Sequence, residues 1–250
     1  IMPSLVGSEM CIRDRYEAEE KITVNGNVDL YAVVFNRTTE TDLTEDQLPQ
    51  VDIYKYKQVI FVGDSRTEFM ENVLTGMGES ATKNVKFVCS AGKGLDWFTT
   101  TGWAQLYSIV QHDSNSILSK KTAVIFNFGV NDLSKSADYA EYYNWIAPQL
   151  KSKGCELYFM SVNPVNRLML PNAGRADRSE AAVRSFNQYM KANLSSAYTY
   201  IDMYSYLKST GYSFASDHYG TGTVDDGLHY TTRTYKRIFA KCMDSLRVPA

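Results

Sequence analysis

The chain has 250 residues, 44% of them hydrophobic, with 26 Lys+Arg against 28 Asp+Glu and a net charge of -2 at pH 7. That length supports one α/β domain with an attachment, or at most two small domains, without disulfide or metal staples. A pI near 6.0 argues against the basic footprint of a nucleic-acid-binding protein, and no run approaches the ~18 apolar residues of a membrane span.

The charge is unevenly spread. Residues 1–55 hold 5 basic and 11 acidic side chains, whereas residues 56–250 hold 21 and 17. This asymmetry points to two unlike pieces joined near residue 55. The first fifteen residues, IMPSLVGSEMCIRDR, lack a basic n-region, are broken by Pro3 and Gly7, and have no small-residue cleavage site. They resemble translated library-adapter sequence and read as a non-native tract. Residues 16–37 contain two apolar runs separated by Asn25-Gly26, which is a hairpin signal. Residues 16–36 resemble the closing hairpin of the Listeria–Bacteroides type repeat of bacterial surface proteins, with Leu30-Tyr-Ala-Val-Val-Phe35 as its final strand. An ordinary hairpin packed on the main domain is the alternative. Residues 38–55, acidic and Thr-rich, read as a linker.

From residue 56 onward strands alternate with helices. Gln58–Val62 is a short buried strand ending at Gly63, and Arg66–Met77 follows as a helix with Phe69, Val73 and Met77 on one face. Val85–Cys89 is a second strand and Trp97–Val110 a helix. Thr122–Phe128 is a third strand, Tyr139–Lys151 a helix, and Glu156–Val162 a fourth strand. Asp177-Arg-Ser-Glu180 has capping-box spacing ahead of Val183, Phe186 and Met190. Thr199–Met203 is a fifth strand and Thr232–Leu246 a final helix. The expected fold is therefore a three-layer α/β/α flavodoxin-like domain with a five-stranded parallel sheet, preceded by the short hairpin. Ligands in such folds gather at the carboxyl ends of the strands.

Those ends carry the polar residues: Gly63-Asp64-Ser65-Arg66 after strand one, Ser90-Ala-Gly-Lys-Gly94 after strand two, and Gly129-Val-Asn131-Asp132 after strand three. Asp226-Gly-Leu-His229 follows near the C-terminus. A serine after a strand also fits a helix cap, and Asn131 alone fits a turn. The four blocks together, in this order, resemble the SGNH (GDSL-like) hydrolase superfamily across essentially all of residues 56–250. The resemblance implies a serine esterase. Ser65 is its nucleophile, His229 the base, and Asp226 the carboxylate that orients the imidazole. It implies an oxyanion hole from the Ser65 N–H, the Gly94 N–H and the Asn131 amide, with Gly92 as the alternative glycine.

Two departures from the family pattern stand out. Arg66 replaces the leucine of the name-giving motif; it reads as a solvated arginine at a helix N-terminus, with contact to a substrate anion as the alternative. The second block lacks the asparagine ahead of its glycine. Asp64 and Asp132 are expected to make hydrogen bonds within their turns. Among the other histidines, His112 reads as solvated, and His218 as a surface-loop residue or a lining of the cleft. Trp97 is a candidate sugar platform, although packing is the commoner fate of such a ring, and Trp103 and Trp145 read as core. Cys89, Cys155 and Cys242 lie in apolar patterns and Cys11 in the N-terminal tract; none forms a CxxC pair, so no metal site is indicated. No cofactor is called for. The expected partner is a small-molecule or glycan ester, with an acetylated carbohydrate favoured, and with no nucleic acid or membrane span. The surface-repeat resemblance implies an extracellular or cell-surface location. An acyltransferase or lipase using the same triad, and a surface binding module with an inert site, are the alternatives.

Overall fold

The structure, a computed structural model, describes residues 42–51, 55–113, 121–166, 170, 178–215 and 226–246. The chain divides between Asn36 and Arg37, and every described residue belongs to the second unit. The N-terminal tract, the hairpin, Cys11, Asp177 and His218 lie outside the described residues.

Five strands form the sheet: β1 Tyr56–Gly63, β2 Val85–Cys89, β3 Lys121–Asn127, β4 Cys155–Met160 and β5 Tyr198–Ile201. Their order is β2-β1-β3-β4-β5, and every pairing is parallel. This is the flavodoxin-like order, with the topological switch between β1 and β3. The longer helices are α1 Ser65–Met77, α2 Trp103–Asp113, α3 Ser136–Ser152, α4 Glu180–Asn193, α5 Met203–Thr210 and α6 Thr232–Ser245.

The strands are apolar on both faces because both faces are covered. Ile60, Val62, Val124, Phe126, Leu157 and Phe159 pack against Leu106 and Val110 of α2, Tyr143 and Ile146 of α3, and Val183 and Phe186 of α4. The alternate residues Val59, Phe61, Ala123, Ile125 and Met160 meet Met70 and Leu74 of α1, Met203 and Leu207 of α5, and Ile238 and Phe239 of α6. The three-layer expectation is met. On α1, however, Met70 and Leu74 form the buried face, while Phe69, Val73 and Met77 are its partly buried flank.

Local chemistry explains where the elements depart from the expected ones. The expected helix from Trp97 is interrupted by a π-helical stretch, Phe98–Gly102. Thr99 and Thr100 there turn their hydroxyls back to the Asp96 carbonyl, at 3.0 and 2.7 Å. Such back-bonding by β-branched residues competes with the regular ladder. Strand β5 stops at Ile201 because Asp202 caps α5, its side chain accepting the Ser205 N–H at 3.1 Å. Trp145 is 59% exposed and so is not core. The buried face of α3 runs through Tyr139, Ala140, Tyr143, Ile146, Ala147 and Leu150, and Trp145, two residues before Ala147, points about 200° away from it. Within the acidic segment, Leu48 and Val51 bury against the α1/α6 side of the sheet.

Candidate active site

The site begins where β1 meets α1. A Cβ on Gly63 would lie 2.0 Å from Thr67 Oγ1 and 2.9 Å from the Asn127 carbonyl, so glycine lets the first helical turn seat directly on the strand end. Asp64, not Ser65, is the N-cap: its carboxylate accepts the Arg66 N–H at 3.0 Å. Ser65 is thereby released from capping and opens the helix. Complete burial raises the Asp64 carboxyl to about 6 against the pull of the Arg66 N–H and guanidinium.

Ser65 Oγ lies 2.8 Å from His229 Nε2, and His229 Nδ1 lies 2.5 Å from Asp226 Oδ2. The other Asp226 oxygen accepts the N–H groups of Leu228 and His229, each at 2.8 Å. One carboxylate thus folds the turn and orients the ring, which is what a three-residue spacing permits. Gly227 sits at φ 67, a left-handed conformation costly for residues with a Cβ. Burial raises the Asp226 carboxyl, but its bonds and charge interaction with His229 and the Leu228 N–H outweigh this and hold it at about 2. It therefore remains a carboxylate through the neutral range. The Phe69 ring meets the His229 ring edge-on, with centroids 4.8 Å apart.

Arg66 corrects both readings of it. It is 2% exposed and donates Nε to the Leu228 carbonyl at 3.0 Å, Nη1 to Asn163 O at 2.8 Å and Nη2 to Pro164 O at 2.8 Å. Its guanidinium also lies 5.1 Å from the Tyr230 ring centre. The side chain binds the histidine loop and the loop after β4 to the helix that carries Ser65. Burial with three carbonyl partners leaves it neither solvated nor turned toward a substrate anion.

The second and third blocks are stapled to each other. Asn131 Nδ2 donates to the Lys93 carbonyl at 2.8 Å, and Asp132 Oδ2 accepts the Leu95 N–H at 2.9 Å. Asp132 closes its own turn through its main chain, donating N–H to the Gly129 carbonyl at 3.1 Å, while its side chain bonds across to the other loop; its second oxygen accepts the Tyr139 hydroxyl at 2.7 Å. Lys135 and Asp96 add an ion pair at 3.0 Å. A Cβ on Gly94 would fall 2.3 Å from Asp132 Oδ2, whereas one on Gly92 would meet nothing within 4 Å. Gly92 is required instead by its φ of 69. Strand register brings the two groups to the same edge, since Gly63 pairs with both Cys89 and Asn127.

The remaining candidates lie elsewhere. His112 is exposed at the end of α2 and contacts the Ser108 carbonyl. Trp97 packs on Phe128 and over Gly102, at the edge of the core. Trp103 is partly buried against the core. Among the described residues Cys89, Cys155 and Cys242 form no disulfide, and no group of three metal-ligating side chains occurs. Arg178 was not singled out by its sequence context; it donates Nε to Val130 O at 2.7 Å and Nη2 to Asn131 Oδ1 at 3.0 Å.

A family profile described as GDSL-like lipase/acylhydrolase matches residues 59–242. No curated sequence matches the chain significantly. Among solved structures, a Bacteroides fragilis protein classed as an acylhydrolase is 16% identical, with a TM-score of 0.53 over 80% of this chain and 92% of its own. A Slackia heliotrinireducens protein classed as an SGNH hydrolase is 13% identical, with a TM-score of 0.51 over 77% of this chain and 100% of its own. An acetyl xylan esterase is 11% identical, with a TM-score of 0.50 over 76% of this chain and 100% of its own. At these identities the structural likenesses speak to the fold. The family profile, together with the strand order, carries the assignment: the chain belongs to the SGNH (GDSL-like) hydrolase superfamily.

Proposed function

We propose that the protein is a serine esterase in which Ser65, His229 and Asp226 act as the catalytic triad. The observation that carries this reading is the unbroken chain from Ser65 Oγ through His229 to Asp226, at 2.8 and 2.5 Å. His229 Nε2 removes the hydroxyl proton as Ser65 Oγ bonds to the ester carbonyl carbon. The tetrahedral oxyanion is met by the Ser65 N–H, the Gly94 N–H and the Asn131 amide; Gly94 is favoured over Gly92 by its packing on Asp132 beside Asn131. As the ester C–O bond breaks, His229 returns the proton to the departing alcohol. Water then attacks the acyl-serine with His229 again as base, releasing the acid and restoring Ser65.

The substrate we favour is an acetyl ester on a carbohydrate, encountered outside the cell. The likeness of residues 16–36 to a surface repeat supports the location, and the fold shared with an acetyl xylan esterase supports the substrate class. The decisive experiment compares the wild-type protein with Ser65→Ala on p-nitrophenyl acetate and on a panel of acetylated glycans and longer acyl esters. Loss of turnover in the variant, with the glycan acetates preferred, is the expected result. Turnover unchanged by Ser65→Ala would sink the triad assignment, and preference for long acyl chains would replace the glycan reading with a lipase.

A further inference from the structure

We infer that Arg178 is a positioning residue for the oxyanion-binding amide of Asn131; the inference rests on the esterase reading above. A primary amide has one acceptor oxygen and two N–H donors. In Asn131 the oxygen accepts Arg178 Nη2 at 3.0 Å and one donor is taken by the Lys93 carbonyl at 2.8 Å. Flipping the amide would set its NH2 against the guanidinium and its oxygen against a carbonyl, both repulsive. The two bonds therefore lock one orientation and leave the second N–H with a defined direction. Asn131 is only partly buried and, with Asp132 and Arg178, lines an open groove of about 370 Å3, so its amide is within reach of solvent.

The guanidinium does more than hold. Its charge on Oδ1 draws electron density from the amide nitrogen and strengthens the remaining N–H as a donor. Its Nε also grips Val130 O at 2.7 Å, so a planar fork spans the main chain before Asn131 and the side chain of Asn131 together. A lysine ammonium lacks that fork and can serve one of these acceptors at a time. Arg178 itself is anchored, because the next residue, Ser179, caps α4 by accepting the Ala182 N–H at 3.1 Å. Glu180 follows, its carboxylate accepting the Val165 N–H and the Tyr204 hydroxyl.

The test is a double-mutant cycle on p-nitrophenyl acetate with wild type, R178M, N131A and the N131A/R178M pair. Direct loss of an oxyanion donor costs ~10²–10³ in turnover, so its misorientation in R178M is expected to lower kcat about 10- to 100-fold with KM within about two-fold. In the N131A background the same change is expected to alter kcat less than about two-fold, because the group it positions is gone. R178K is expected to recover part of the loss. Thermal midpoints identify any variant that fails to fold, and R178K carries the measurement if R178M does. A kcat for R178M within two-fold of wild type, or an equal drop with and without Asn131, would overturn the inference. If the wild type shows no Ser65-dependent ester turnover, the esterase reading fails by itself. The same cycle is then read from the rate of Ser65 labelling by a fluorophosphonate, whose phosphoryl oxygen needs the same donor.

Discussion

An arginine in the first turn of a helix faces the positive end of the helix dipole, a placement disfavoured by about 0.3–1 kcal/mol. Arg66 is there because three main-chain carbonyls, from Asn163, Pro164 and Leu228, converge on its guanidinium. Pro164 O also accepts the Tyr230 hydroxyl at 2.5 Å, so truncating Arg66 orphans two of the three acceptors. At about 1–3 kcal/mol for each buried unsatisfied group, Arg66→Met should destabilise the domain by about 2–6 kcal/mol, read as a lower urea midpoint. A midpoint unchanged from wild type would mean that those carbonyls find other partners. Ser65, Asp226 and His229 were legible as candidates because motif spacing reports them directly. Arg66 was not, since its partners lie 97 to 162 positions away. The wrong-signed charge at a helix start was the one local hint that something buried compensates it.

The loops after β2 and β3 behave as one element, tied by Asn131 to Lys93, Asp132 to Leu95 and Lys135 to Asp96. This makes the two glycines of the second block separable. Gly94→Ala drives a methyl into the Asp132 carboxylate, at 2.3 Å, and must part the loops; we expect kcat on p-nitrophenyl acetate to fall about tenfold or more. Gly92→Ala meets no neighbour but strains a left-handed residue, costing about 1 kcal/mol of stability with kcat near wild type. The opposite ranking of the two kcat values would transfer the oxyanion donor to Gly92. At this scale the strands were readable to within two residues or so, because a doubly covered parallel strand leaves a continuous apolar run. Helix α5 was missed: its eight residues are too few to show a period, and its cap, Asp202, was absorbed into the expected strand. The π-helical stretch was missed because its cause is side-chain to main-chain bonding rather than periodicity.

Across the whole molecule, the alternation of strands and helices made the three-layer parallel sheet legible, whereas the switch between β1 and β3 is set by the strand order of the structure; the domain so built holds two oppositely perturbed carboxylates. Asp226 is held at about 2, so the stability it contributes is present above its ordinary 3.8 and is lost as pH falls toward 2. Asp64 is raised by burial to about 6, so its contribution is complete below 3.8 and is lost as pH rises toward 6. Asparagine at position 64 keeps the side-chain oxygen that accepts the Arg66 N–H and removes the titrating group. Asp226 titrates alike in both proteins and cancels from their difference. The thermal midpoint of Asp64→Asn relative to wild type should therefore rise between pH 4 and pH 7, with most of the change below pH 6. A difference that stays constant across that range would mean that the Asp64 carboxyl titrates alike in the folded and unfolded chain.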